Sequence, residues 1–304
     1  MRIYDCFTFY NEFELLELRL KSLWNVADYF VIVEGNRTFT GKPKDFNFPK
    51  RAEEFKAFWS KIRFINADLS KVPFKGTGDW SIENAQRNAI MHGLNDAQPD
   101  DLIMISDLDE IPAPDTLQRL HEVTVIAPAV LPLTVATGKK TFPAQLLVPA
   151  SHFLEYGAIV MEQKLFCYYL DKSSLAPWYG TILNKRKNLT MPQAMRDMRH
   201  ILPRVANGGY HFSYMGGVDR VINKMTSIVD GNELVVRSGG KFIERAHVEK
   251  AMVNGTDAYD RKNIPESHYY PYDARNIRLP HLEEFLKKYP HFLHEPKKFF
   301  GENY

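Results

Sequence analysis

The sequence predicts an α/β fold built on a mixed, mostly parallel sheet flanked by helices. Three observations carry that expectation. Short apolar runs alternate with helix-periodic segments through the first 112 residues. The runs at 3–9, 29–33 and 102–105 read as short, largely apolar buried strands. Beyond Pro114 the pattern shifts to short β-like segments, which implies a mixed second half packed on the same core.

In chain order, residues 3–9 form a first strand. Asn11 then caps a helix with Leu16, Leu20 and Leu23 on its core face. Residues 29–33 form a second strand ending at Glu34-Gly35, and the polar stretch 35–50, with Gly41, Pro43 and Pro49, is a long loop. A helix over 52–59, a strand over 62–65 and a helix over 81–94 precede the strand at 102–105, which runs into Ser106-Asp107-Leu108-Asp109-Glu110-Ile111-Pro112. A helix near 115–123 follows, then β segments near 130–136, 144–148, 164–170 and 180–184. With no Gly/Ser-rich linker or repeat, residues 1–304 form one domain.

Composition narrows the function. Of 304 residues 44% are apolar and 25% charged, a globular balance. The net charge is +2 and no basic tract is interleaved with aromatics, which gives a nucleic-acid partner no support. Cys6 and Cys167 sit in apolar runs without a CxxC pair and are expected as buried free thiols. No signal-peptide pattern opens the chain, and no apolar run reaches the roughly 20 residues of a membrane span. The expectation is a cytoplasmic protein.

Asp107-Leu108-Asp109 ends an apolar strand. In an extended chain the two carboxylates point the same way, and paired carboxylates repel unless a cation lies between them. The C-terminal end of a parallel strand is where open α/β sheets bind ligands. Oxygen ligands there suit Mg²⁺ or Mn²⁺ shared with substrate phosphates. The other reading is a solvated acidic turn before Pro112.

Further blocks extend this motif. Phe9-Tyr10-Asn11-Glu12 is followed by Glu14-Leu15-Leu16-Glu17-Leu18-Arg19-Leu20, and Val33-Glu34 by Thr38-Phe39-Thr40-Gly41-Lys42-Pro43-Lys44. Gln86-Arg87-Asn88 precedes the acidic block. Gly208-Gly209-Tyr210-His211-Phe212-Ser213-Tyr214 follows it, with Trp178, Gly180-Thr181 and the tail at 286–296. In this order the chain resembles glycosyltransferase family 17 over nearly its whole length, least across about 120–160. The resemblance implies a GT-A fold, with a nucleotide-binding half over 1–112 and an acceptor-side half over 113–304 that ends in a helical tail. It also implies an inverting, metal-dependent transfer from a nucleotide sugar to a carbohydrate. The best-known members move N-acetylglucosamine from UDP-N-acetylglucosamine to N-glycan cores. They carry a membrane anchor and stem, which are not expected for this chain, and that leaves the acceptor open.

The site residues follow. Asp107, Asp109 and His211 are the candidate ligands of Mn²⁺ or Mg²⁺, with Asp107 also reaching ribose. Gly208-Gly209 would allow backbone to approach the ligand closely. Asn11, Glu12, Glu34, Lys42 and Arg87 are candidates for the UDP-sugar pocket, Arg87 through its planar fork on the diphosphate. Trp178, Gly180 and Thr181 form a donor or acceptor wall. Asp197 and, second, Glu162 are candidates for the general base. Each has a plainer alternative: a core histidine, a helix cap, a surface ion pair, a solvated lysine or an aromatic closing the core. Two other functions compete, a DxD phosphoryl-transfer enzyme and a non-catalytic carbohydrate-binding protein on a transferase fold.

Overall fold

The computed structural model describes residues 1–135, 138–262, 264 and 267–301, and of 126–135 and 138–147 the main chain alone. Its strands are β1 (Ile3–Thr8), β2 (Tyr29–Gly35), β3 (Ile62–Ala67), β4 (Leu102–Asp107), β5 (Glu110–Pro112), β6 (Thr124–Val135), β7 (Gly138–Pro149), β8 (Ile159–Cys167), β9 (Lys172–Lys185), β10 (Arg204–Ser213) and β11 (Tyr270–Pro271). They join one sheet in the order β3-β2-β1-β4-β9-β8-β10-β6-β7, with β11 on β9 and β5 on β10. β3, β2, β1 and β4 are parallel, as are β8 and β10, while β9 runs antiparallel to β4 and β8. The predicted α/β class and mixed sheet are present.

The consecutive apolar residues of the central strands are explained by two layers. Phe7, Phe30, Ile32 and Met104 pack on one face with Leu16, Leu20 and Leu23 of the helix Phe13–Leu23. Cys6, Val31, Val33, Ile103 and Ile105 pack on the other with Ile82 and Ile90. Each strand is covered on both sides, so alternation is lost. A third apolar cluster joins Leu165 and Cys167 to the helices Val218–Ser227 and Arg245–Asn254. Cys6 and Cys167 are buried and free. Among the described residues no helix is long and apolar enough to cross a membrane.

Local expectations shift at several points. Asn11 does not cap the first helix. Glu12 precedes Phe13 without a side-chain cap, and the Asn11 amide donates to Asn223 Oδ1 at 3.4 Å. The segment 52–59 is a tight 3₁₀ turn, Ala52–Phe58, after a short helix Phe48–Arg51. The helix expected over 81–94 is α-helical only over Ser81–Asn88, and the one near 115–123 only over Pro114–Gln118. The segment 130–136 falls in β6 as far as Val135, and Ala136 lies outside the described residues.

Candidate active site

β4 ends at Asp107, and the chain turns through Leu108 and Asp109 into β5. The two carboxylates therefore do not share a face by strand alternation. The turn brings both to the same cavity, about 700 Å³ in volume. Antiparallel pairing of β5 with β10 sets Glu110 opposite His211, and the Phe212 N–H donates to the Asp109 carbonyl at 2.8 Å. That register places His211 beside Asp109. Gly208 and Gly209 serve this packing rather than a ligand. A Cβ on Gly208 would stand 2.6 Å from Met161 Cβ, and one on Gly209, at φ 144°, 2.3 Å from the Ile111 carbonyl.

Asp107 is held by two arginines. Arg87 Nη2 donates to Oδ1 at 2.8 Å and Arg196 Nη2 to Oδ2 at 3.0 Å. Asp107, expected to reach metal or ribose, turns both oxygens to guanidinium groups. Burial alone would raise its pKa, but Arg196 and Arg87 outweigh burial and hold it well below the usual carboxylate range. Arg87 is itself buried. It also donates to Glu83 Oε1 at 2.9 Å and to Gln193, which makes it no solvated surface pair.

Glu110, fully buried, organises the opposite wall. Its carboxylate takes both Nη atoms of Arg196, the indole N–H of Trp178 at 2.6 Å and the Asp107 N–H at 3.0 Å. Trp178 in turn lies over His211, ring centroids 4.5 Å apart. Arg199, also at the cavity, has its pKa lowered by burial and by the Arg196 charge.

Asp109 carries two further neighbours. Lys224 Nζ donates to Oδ2 at 2.5 Å, and His211 Nε2 stands 3.5 Å from Oδ1, outside hydrogen-bond geometry. Burial opposes the charge on Asp109, but Lys224 and His211 outweigh it and keep its pKa low. Four polar atoms on cavity residues are buried without a partner: His211 Nδ1, Arg87 Nε, Arg199 Nε and Asn84 Oδ1. Orphaned buried donors are costly unless a ligand satisfies them.

A divalent cation fits this arrangement through two residues. Ligands about 2.1 Å from one octahedral ion stand roughly 3 Å apart when adjacent, close to the Asp109–His211 separation. A carboxylate and an imidazole suit Mn²⁺. No three His, Cys, Asp or Glu side chains converge as a metal cage among the described residues. The remaining positions would fall to phosphate oxygens and water.

Of the other predicted residues, Asn11, Glu12, Trp178 and Asp197 line the cavity. Glu34 does not. It is fully buried and accepts the Asn47 and Phe48 N–H groups at 2.6 and 2.9 Å, with Lys44 paired to it. It anchors the loop that follows it. Lys42 is exposed and away from the cavity, which Lys44 lines instead. Gly180 and Thr181 lie behind the wall, Gly180 giving its carbonyl to Arg196 at 2.8 Å and Thr181 accepting from Gln163 at 3.1 Å. Glu162 sits on β8 opposite Tyr179 of β9, outside the cavity lining. Sequence reasoning missed Glu110, Arg196, Arg199, Lys224 and Asp230. The spacing of Arg196 and Arg199 at the end of the helix Pro192–Asp197 was the available signal.

Residues 1–137 match the family model described as glycosyltransferase family 17. Rat and human proteins named β-1,4-mannosyl-glycoprotein 4-β-N-acetylglucosaminyltransferase are each 29% identical over 119 residues. The match covers 38% of this chain and 22% of each relative, so the chain spans under a quarter of their length. Two solved structures are similar at a TM-score of 0.27. One is the Francisella tularensis 2-C-methyl-D-erythritol 4-phosphate cytidylyltransferase, 11% identical over 71% of this chain and 90% of that one. The other is the Mycobacterium tuberculosis glucosyl-3-phosphoglycerate synthase with Mn²⁺, UDP and phosphoglyceric acid, 14% identical over 74% and 78%.

Proposed function

We propose that this chain, glycosyltransferase family 17 sequence over residues 1–137, transfers a sugar from a nucleoside-diphosphate donor to a hydroxyl of a carbohydrate acceptor. The observation that carries the reading is the cavity at the end of β4. There Arg87, Arg196 and Lys224 converge on Asp107 and Asp109, while Arg87 Nε and Arg199 Nε remain buried without partners. Such a cluster suits a diphosphate, whose oxygens accept several charge-assisted hydrogen bonds at once. N-acetylglucosamine is the proposed sugar, on the names of the relatives, and UDP the proposed nucleotide, on the family resemblance of the sequence.

In this reading Arg87, Arg196 and Arg199 stabilise the charge that develops on the leaving diphosphate. Asp109 and His211 would hold Mn²⁺ or Mg²⁺, which supplies Lewis-acid neutralisation of the same charge when bound. Trp178, pinned by Glu110, offers an apolar ring face to a sugar. Direct displacement inverts the anomeric carbon and requires a base for the acceptor proton. Asp197 and Asp230 are the proposed candidates. Both line the cavity, Asp197 accepting from Gln193 Nε2 at 2.7 Å and Asp230 from the Gly231 N–H at 2.9 Å.

UDP release from UDP-N-acetylglucosamine, measured with Mn²⁺ and a panel of oligosaccharides, tests the reading. We expect release to require an acceptor and to fall at least a hundredfold in Arg87→Ala. Equal release by that variant would remove the cavity from the reaction. Saccharide binding with no turnover for any UDP-sugar would instead favour a binding protein on this fold.

A further inference from the structure

Lys224 projects from the helix Val218–Ser227 into the cavity and ends 2.5 Å from Asp109 Oδ2. The same carboxylate turns Oδ1 toward His211 Nε2 at 3.5 Å. One carboxylate therefore faces the proposed metal position with one oxygen and an ammonium with the other. Lys224 is not a loosely solvated pair: its side chain is 23% exposed, and it lies 5.2 Å from the Tyr214 ring centroid.

A divalent ion at Asp109 and His211 would meet a carboxylate already neutralised on its far side, with a like charge a few ångströms away. Both effects weaken binding, and in a partly buried site Coulomb terms are large. A nucleoside diphosphate reverses the balance, because its phosphate oxygens bring negative charge to both cations. We propose that Lys224 is a built-in counter-cation of Asp109, one that keeps divalent-ion affinity low until a nucleoside diphosphate binds. Ion and nucleotide then bind with positive coupling, which is reciprocal by linkage. The inference rests on the metal and diphosphate reading given above.

Calorimetric titration of Mn²⁺ into the full chain, with and without saturating UDP, tests it in wild type, Lys224→Met and Lys224→Arg. Thermal melts confirm folding, with Lys224→Gln as the replacement if the methionine variant does not fold. Lys224→Met should bind Mn²⁺ alone about tenfold more tightly than wild type, and the gain in Mn²⁺ affinity on adding UDP should shrink by a similar factor. Lys224→Arg should behave as wild type. Equal Mn²⁺ affinity in wild type and Lys224→Met, with UDP still enhancing it, would overturn the role of Lys224 and leave the metal reading standing. No Mn²⁺ binding in either protein, even with UDP, would overturn both.

Discussion

The Arg19 guanidinium closes on the Asp5 carboxylate through two hydrogen bonds, Nε to Oδ2 at 2.8 Å and Nη2 to Oδ1 at 2.6 Å, and neither side chain reaches solvent. The remaining donors of Arg19 hold the site. Nη1 reaches the carbonyls of Asp107, Leu108 and Glu110 at 3.0, 2.9 and 2.9 Å, and Nη2 the Ser106 hydroxyl at 2.7 Å. One arginine thus ties the first strand and first helix to the turn that carries both aspartates. Arg19→Met leaves Asp5 charged and buried, which costs about 3–5 kcal/mol. Urea denaturation should show that loss, and an unchanged midpoint would deny the network its role.

Arg196 joins Glu110 to Asp107 with a planar fork that lysine cannot reproduce. Arg196→Lys should retain the fold and weaken UDP binding roughly tenfold. Calorimetry on the purified variant would show it. Wild-type affinity would place the diphosphate elsewhere.

Gly209→Ala should destabilise the protein by about 1–3 kcal/mol, because φ 144° and the Ile111 carbonyl both oppose a Cβ. The β5–β10 pairing would shift with it, and Asp109 and His211 would part. Chemical denaturation together with Mn²⁺ titration measures both effects. Loss of metal binding at unchanged stability would instead point to a ligand contact at this glycine.

His211→Ala should weaken Mn²⁺ binding in the presence of UDP by tenfold or more and change the melting temperature little. Its Nδ1 has no hydrogen-bond partner to lose. A large drop in melting temperature with intact Mn²⁺ affinity would make it a packing residue.

Asp101 accepts the N–H groups of Arg2 and Gln98 and the Arg2 side chain, so β1 starts against β4 at a carboxylate. Burial would raise its pKa, but these donors lower it below the ordinary value of about 4. For a depressed carboxylate the stabilisation is present above the unfolded pKa and is lost as pH falls through the folded one. Asp101→Asn should therefore lower the melting temperature at pH 7 and flatten its decline below about pH 4. Parallel curves for wild type and variant would contradict the assignment.

Much of this architecture was legible in the sequence because it rests on near neighbours. The apolar runs of β1, β2 and β4 name strands covered on both faces, and Leu16, Leu20 and Leu23 name the core face of the first helix. Asp107, Asp109, Arg87 and His211 stand out by residue type and position, and the structure brings all four to one cavity. What escaped depends on partners far along the chain. Arg19, on the first helix, makes its contacts to the aspartate turn at 87 to 91 residues' separation, which no local pattern reveals. Lys224 and Arg196 meet their acids across 115 and 86 residues. Glu34 was misplaced because the segment it anchors, 44–48, read as featureless loop. Gly208-Gly209 was misread because strand packing and ligand approach leave the same glycine signature.

The indole of Trp178 lies against the His211 imidazole and donates to Glu110, between the proposed metal and the arginine fork. That position makes the ring an optical reporter native to the site. Its emission depends on the polarity, protonation and motion of what touches it, and two of its contacts, His211 and Glu110, belong to the proposed donor-binding cluster. Occupancy is therefore readable by fluorescence in the unlabelled chain, with Trp178→Phe as the blank that subtracts the light of Trp24, Trp59 and Trp80.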